Sequence, residues 1–556
     1  MRYTRCTQVS GGATMDLMGD SARFERSRAA AHEGVQLLRL GDLERAEAPL
    51  RAAATAGVRS AANNLGVLLH QSGRCQEAAE WWRIAAVAGS APAAHALGRH
   101  RRELGDETAA EYWLRQAAEC GHASGSYALA DLLDHRGAPE AERWFRAAAE
   151  RGHREGAYRY ACLLAERGTG TAEPWFRQAA ARGHRGASLR LGALLEARGE
   201  TEEAGRWYLE AAEAGEARAA SALGFLLRDA GDAAGAERWW RAAALDGDGP
   251  AANALGALHA SRGERQEAQR WYAAALEAGD VNGAFNLGLL CAAQGRTAQA
   301  EQWYRRAAYE GHREACNALA VLLLQRGDAA GAEPWFSKAA EAGSVDAAFN
   351  LGILHAGRDD ATRARHWYEQ AAAAGHAEAA LQIAVELLRA GEEERAGEHL
   401  RLAAEGGSVE GAFRLALLLE RGGEAEEAET WLTRAAEQGH RRAQVRLGML
   451  VAAEGDVVAA ARWYREAAEA GSPNGAFNLG LLLAREGSEP EAALWWTRAA
   501  EAGHGRAALR LALLASRRGD LAGGGTWCTR AMELGPPEVS ERAARLRDAL
   551  RQELTA

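Results

Sequence analysis

The chain has 556 residues, a formal net charge of −10 and a pI of about 6.0. That balance argues against a general phosphate-binding surface, and so against nucleic acid as a partner. No run of 18 or more apolar residues occurs, which excludes a helical membrane span, while scarce Pro (10) beside abundant Ala, Glu and Arg favours helix.

Taken in chain order, residues 1–25 have no apolar h-region. They read as a disordered polar tail and not a secretory signal, with Met15 and Met18 as alternative starts. The seven cysteines form no CxxC pair, as expected of reduced packing thiols in a cytoplasmic protein. Lys338 is the only lysine, and the arginine excess reads as GC-rich bacterial codon usage instead of arginine-rich binding.

Residues 26–535 repeat. A Trp recurs at Trp81, Trp113, Trp144, Trp175, Trp207, Trp239, Trp271, Trp303, Trp335, Trp367, Trp431, Trp463, Trp495 and Trp527, with Pro49 and His399 in the same slot. The step is 32 residues, except for two steps of 31 on either side of Trp144. Ala lies four residues after the slot and Gly eight after it in every copy, as Ala307 and Gly311 do for Trp303. A chain of this length is therefore about 16 small units and not a few ordinary domains.

The stretch VNGAFNLGLLCAAQGRTAQAEQWYRRAAYEGH, residues 281–312, reads as two helices ending near Gly295 and at Gly311. A regularly placed Gly after a helical pattern is the expected left-handed terminator. Ala300, Tyr304 and Ala307 share one face, with Trp303 on its edge. Ser472-Pro473 is a start signal, a capping hydroxyl followed by Pro at the first helical position. Pro174 and Pro334 precede their Trp and predict second helices that begin late. One helix pair cannot hide its aromatic surface, but stacked pairs can, so the fold is an all-α solenoid.

Several polar groups interrupt this frame. His122, His153, His184, His312, His376, His440 and His504 follow the repeat Gly. At helix-stacking distances of about 8–10 Å they cannot converge on one ion, so they read as inter-repeat turn residues and no metal is expected. His399 replaces the Trp and reads as a smaller core residue. His95 to Arg102 is a basic stretch, read as a solvated face with an acidic partner as the sharper reading. The glutamates beside arginines read as solvated charge. No Ser-His-Asp order, HExxH pattern or phosphate-binding Gly loop stands out, so no enzyme activity, catalytic residue or cofactor is expected. Beyond Gly535-Pro536-Pro537 the pattern stops, and residues 536–556 read as a capping helix over the last exposed core face.

The phrases AFNLG (residues 284–288) and AEQWYRRAAYEGH (residues 300–312) make the unit resemble the Sel-one-like repeat of the tetratricopeptide superfamily. Family members usually have a longer connection between the helices; here it is a few residues, closer to a plain tetratricopeptide turn. The resemblance covers most of the chain and implies a right-handed superhelix that works as a protein-binding scaffold or adaptor. In tetratricopeptide domains that bind peptides, the slot one residue before the repeat Leu lines the concave groove. Here that slot holds Asn286, Asn350, Gln382, Arg414, Arg446, Asn478 and Arg510, and one residue earlier stand Phe285, Phe349, Phe413 and Phe477. Amide, guanidinium and aromatic groups together suit extended backbone and acidic groups. The alternative packing roles are Phe as core and Asn as a tie between helices. The expected function is a cytoplasmic scaffold or adaptor that holds a protein or peptide in this groove. The alternative is a regulatory solenoid that binds a small ligand and controls a partner, and a hydrolase through His399 is a third class.

Overall fold

Helices make up most of the computed structural model of this chain, which describes residues 13–168 and 170–555. Among the described residues there are thirty-three helices and no strand, arranged as antiparallel pairs that stack into an α-solenoid. Contacts divide the chain into two units, residues 1–283 and 284–556, and each is described by itself.

One pair shows how local sequence sets the geometry. The helix Arg313–Gln325 is followed by the helix Ala329–Glu341, with Gly327 (φ 85°) between them and Gly343 (φ 84°) after them. Only Gly adopts that left-handed conformation freely, so the turns are short. Asp328 caps the second helix, its Oδ1 accepting the N–H of Gly331 at 2.8 Å. Ser472 does the same for Pro473–Arg485, with Pro473 in the first turn.

The prolines divide. Pro174 lies in the first turn of Glu173–Ala180, an eight-residue helix that does begin late. Pro334 instead lies inside Ala329–Glu341, because the Asp328 cap starts that helix upstream. The other short second helix is Ala141–Glu150. Both short helices follow the 31-residue steps, so the missing residue is taken from the start of the second helix.

The segment read as a tail also divides. Residues 1–12 lie outside the described residues, and residues 13–25 belong to the helix Ala13–Arg39 instead of a loose tail. At the other end, the helix Pro537–Thr555 buries Val539, Ala543 and Leu550 and touches Gly505–Arg517 as a further first helix would. No helix among the described residues is long and apolar enough to cross a membrane.

The core position of each second helix is the residue after the Trp slot. Tyr304 is 4% exposed, whereas Trp303 is half-buried, as is every slot Trp except the buried Trp144. The slot Trp sits at the edge, where Arg238, Arg434 and Arg498 lie over the rings of Trp239, Trp431 and Trp495 at 5.0, 5.3 and 4.7 Å.

The buried residue is matched to the small residue after the repeat Leu. A Cβ on Gly352 would meet the Tyr368 ring at 2.4 Å, and one on Gly224 the Trp240 ring at 2.4 Å. Gly256 faces Tyr272, Gly448 Tyr464 and Gly480 Trp496 in the same way. Where the buried residue is Phe145, Phe176, Phe336 or Cys528, the small residue is Ala130, Ala161, Ala320 or Ala512. Tyr and Trp rings therefore lie on Gly and the Phe rings lie on Ala, while Leu50 and Leu114 also lie on Gly, at Gly34 and Gly98. The tolerance is below one methyl group, as close packing requires.

Many glutamates read as solvated join one pair to the next. Glu111 accepts from Arg115 on its own helix (3.0 Å) and from Arg136 at the end of the next first helix (2.8 Å). Glu173 takes Arg177 and Arg198, and Glu237 takes Arg241 and Arg262, at 2.6 to 3.0 Å. Glu301 does the same with Arg305 and Arg326 and is only 15% exposed. The long guanidinium reaches from one element to another, a reach that spacing along a single helix does not reveal.

Replacing Gly352 by Ala is expected to cost about 1–3 kcal/mol through overpacking against Tyr368. In a double-mutant cycle read by denaturant unfolding, Tyr368→Phe should return part of that loss, because Ala320 with Phe336 is a natural combination. By contrast, Gly525→Ala meets nothing within 4 Å and is expected to stabilise by about 0.5–1 kcal/mol.

Candidate functional site

The seven histidines turn out to be helix N-caps. In each, Nδ1 accepts the backbone N–H three residues on: Gly125 to His122 and Ala315 to His312 at 3.0 Å, Ala379 to His376 and Ala443 to His440 at 3.1 Å. His153, His184 and His504 repeat this at 3.0 to 3.2 Å. Imidazole is the longest of the caps used here, and its far face is free to stack.

That face meets the aromatic row of the preceding first helix. Phe285 stacks on His312 with centroids 4.7 Å apart, Phe349 on His376 at 4.2 Å, and Phe477 on His504 at 4.4 Å; Phe413 lies tilted against His440 at 4.5 Å. Phe285, Phe349 and Phe477 are half-buried. Phe413 is 4% exposed with Arg442 over its ring at 5.1 Å, so it holds the stack and offers little surface. Sequence reasoning missed Tyr127 and Tyr158, which occupy the same position and stack on His153 and His184 at 4.6 and 4.2 Å. Widening the search from Phe to any ring would have found them.

The row one residue later is mixed. Asn350 donates from Nδ2 to Oδ1 of Asn317 on the preceding first helix at 3.1 Å, tying the two helices. Arg414 pairs with Glu410 at 2.5 Å, and Glu410 also meets Nε2 of His440 at 3.0 Å. Arg446 pairs with Glu420 at 2.9 Å. Asn286 and Asn478 are half-buried, and Gln382 and Arg510 are exposed.

Near the C-terminal end both rows meet at one cleft. Phe477, Leu509, Leu513, Val539 and Leu546 line it, together with Arg506, Arg510, Arg542 and Glu538. Its volume is about 430 Å³. None of these three arginines makes an ion pair among the described residues, unlike the arginines that bridge neighbouring helix pairs. Arg542 comes from the capping helix, which carries no repeat pattern that could have marked it.

The basic stretch at His95 is largely neutralised. Arg102 pairs with Asp131 at 2.7 Å, Arg99 with Glu103 at 3.6 Å, and His100 is buried beside His70 and Trp82. His95 lies 5.0 Å from His122, and burial with that neighbour holds its pKa down to about 4. His399 is half-buried with its Nδ1 unpartnered, and burial lowers its pKa. Among the described residues no group of three or more His, Cys, Asp or Glu could hold a metal ion.

Two family models match segments of the chain. The Sel1 repeat model matches residues 91–122, 136–153, 155–184, 192–216, 313–344, 345–376 and 473–504. The tetratricopeptide repeat model matches residues 32–95, 253–315 and 413–476. No curated protein matches. Among solved structures, a protective antigen present in uropathogenic Escherichia coli strains and displaying an SLR fold is 26% identical, over 80% of this chain and 91% of its own, with a TM-score of 0.46. A Sel1 repeat protein from Oxalobacter formigenes is 28% identical, over 49% of this chain and 88% of its own, with a TM-score of 0.39. A tetratricopeptide repeat protein with an unusual peptide-binding site is 21% identical, over 27% of this chain and 82% of its own, with a TM-score of 0.22.

The caps carry a pH dependence. An Nδ1 that accepts a backbone N–H cannot hold a proton, and burial lowers the pKa of His122, His153 and His504. Below the unfolded value of about 6.5 the unfolded chain takes up protons that these caps refuse. Stability is therefore full above that value and lost as pH falls below it. The Tm is expected to drop between about pH 7 and pH 5. The variant His122→Ser/His153→Ser/His504→Ser keeps a capping oxygen, as Ser344 and Ser408 do, and should flatten that slope in thermal melts.

Proposed function

This chain is a Sel1-like repeat protein of the tetratricopeptide superfamily, and on that premise we propose that it is an interaction scaffold that holds a protein or peptide segment on its first-helix face. No catalytic role is assigned to any residue, and a cytoplasmic location is part of the proposal. Successive first helices touch one another, as Ala377–Ala390 does Val409–Gly422 and Arg441–Glu454 does Pro473–Arg485. That closeness supports an inner, groove-forming side made of first helices.

The observation that carries the reading is the cleft at Phe477. Three arginines against the single carboxylate of Glu538, around an apolar floor, suit a segment that offers carboxylates beside an apolar side chain, because guanidinium and carboxylate form paired, directional hydrogen bonds. Asn286, Asn350, Arg414 and Asn478 extend the polar side of the face within their own helices. Asn350 and Arg414 also serve packing, so their weight in binding is the smaller.

Affinity capture from the native host, followed by mass spectrometry, identifies the partner. Arg506→Ala/Arg510→Ala/Arg542→Ala is expected to weaken it by roughly 10- to 100-fold, at about 1.5–3 kcal/mol for a charge-assisted bond. Asn286→Ala/Asn350→Ala/Arg414→Ala/Asn478→Ala should weaken it less. If both folded variants bind the captured partner as the wild type does, the first-helix face is not the binding surface. The size of the cleft is what favours the second reading, a sensor of small ligands; thermal stabilisation by a small molecule without any protein partner would select it.

A further inference from the structure

The inter-repeat ion pair is missing at Gly205 and Gly397, and at each place a leucine-lined cleft stands instead. The two glycines occupy the position of Glu111, Glu173, Glu237 and Glu301 in other second helices. Ala230 and Gly422 stand where Arg136, Arg198, Arg262 and Arg326 reach back. A Cβ on Gly397 would lie 3.3 Å from Leu418, and one on Gly205 would lie 3.7 Å from Leu226. A glutamate stem there would cover that leucine. Without it, clefts of about 650 Å³ and 760 Å³ open at Gly397 and Gly205.

The cleft at Gly397 carries the argument further. Leu402, Leu415, Leu418 and Leu419 line it, and Leu402 is 53% exposed. It follows the helix Glu393–Glu405 along its length, roughly 18 Å at 1.5 Å per residue, which is the span of about three helical turns. Its two arginines are already engaged, Arg401 with Glu427 at 2.8 Å and Arg421 with Glu393 at 3.1 Å. Glu394, Glu398, Glu405 and Glu424 also line the cleft and make no ion pair. The surface is therefore an apolar strip with an uncompensated negative rim, and the complement of that rim is a cationic one.

We propose that this cleft docks a helix of a partner protein that presents leucine-sized side chains flanked by lysines or arginines. The apolar stripe of such a helix enters a groove through residues spaced three and four apart, and its flanking cations meet the four glutamates. This surface shares no residue with the cleft at Phe477.

The test supplies the ion pair that several other repeats have. Gly397→Glu/Gly422→Arg adds one negative and one positive charge, leaves the net charge unchanged, and recreates the Glu301–Arg326 arrangement. Leu402→Ser removes the exposed leucine alone. The probe is a fluorescein-labelled helical peptide of about 18 residues with leucines on one face and lysines beside them, read by anisotropy against the full chain. A second peptide carries glutamate in place of each lysine. The lysine peptide is expected to bind the wild type in the micromolar range and to bind each variant about 10-fold more weakly, with the glutamate peptide failing to bind. Circular dichroism and the melting temperature report that the variants are folded. Equal affinity for wild type and both folded variants overturns the proposal, since it leaves only general attraction to an acidic chain. Absence of binding to the wild type overturns it as well.

Discussion

The contact between one small residue and one buried ring inside each helix pair is the constraint on which the stack depends. The ring of Tyr304, Tyr368 or Trp240 lies on the backbone of Gly288, Gly352 or Gly224 with no room for a methyl group. That closeness sets how near the two helices approach. It also explains why the small residue changes with its partner. Phe145 and Phe336 are buried completely and face Ala130 and Ala320, whereas Tyr208, equally buried, faces Gly192 and donates its hydroxyl to Glu196 at 2.6 Å. Each pair is thus closed by its own matched contact and does not wait on a distant element.

Polar groups then join pair to pair, and they do so at both ends of the first helix. At its start, a histidine caps the helix and stacks on the ring of the pair before it. At its end, an arginine reaches back to a glutamate of that same preceding pair. Neither link is strong alone, since exposed ion pairs contribute about 0–1 kcal/mol each. Both fix orientation, because imidazole stacking and a doubly paired carboxylate allow little rotation. The surfaces proposed for partners are what these links leave over: the arginines around Phe477, and the cleft at Gly397 where a link is absent.

Much of this was legible in the sequence, and the parts that were not share a physical reason. The glycine terminators, the capping serine and the Ala300–Tyr304–Ala307 face follow from local preference and helical period, and the structure contains them. The period also marks Trp303 and Tyr304 together, but neighbouring residues on a helix point about 100° apart. Choosing which of the two faces inward needs the partner helix. Glu237 and Arg262 are 25 residues apart, and no single-helix pattern links them. Within the site, Phe477 and Arg510 belong to rows that spacing reveals. Arg542 lies on the capping helix, where the period has ended.

The contacts of the chain have a consequence for how it folds. Helices touch their neighbours in sequence and the next helix but one. Bringing such elements together closes only short loops, which favours rapid assembly despite the length of the chain. Stability in such an array is a sum over units and the interfaces between neighbours. Cooperativity then extends only as far as the interfaces are stronger than the units are unstable. The glycines at Gly205 and Gly397 remove one such link each and leave a cleft in its place, so a run of helix pairs on one side of such a joint is expected to open more readily while its neighbours stay folded.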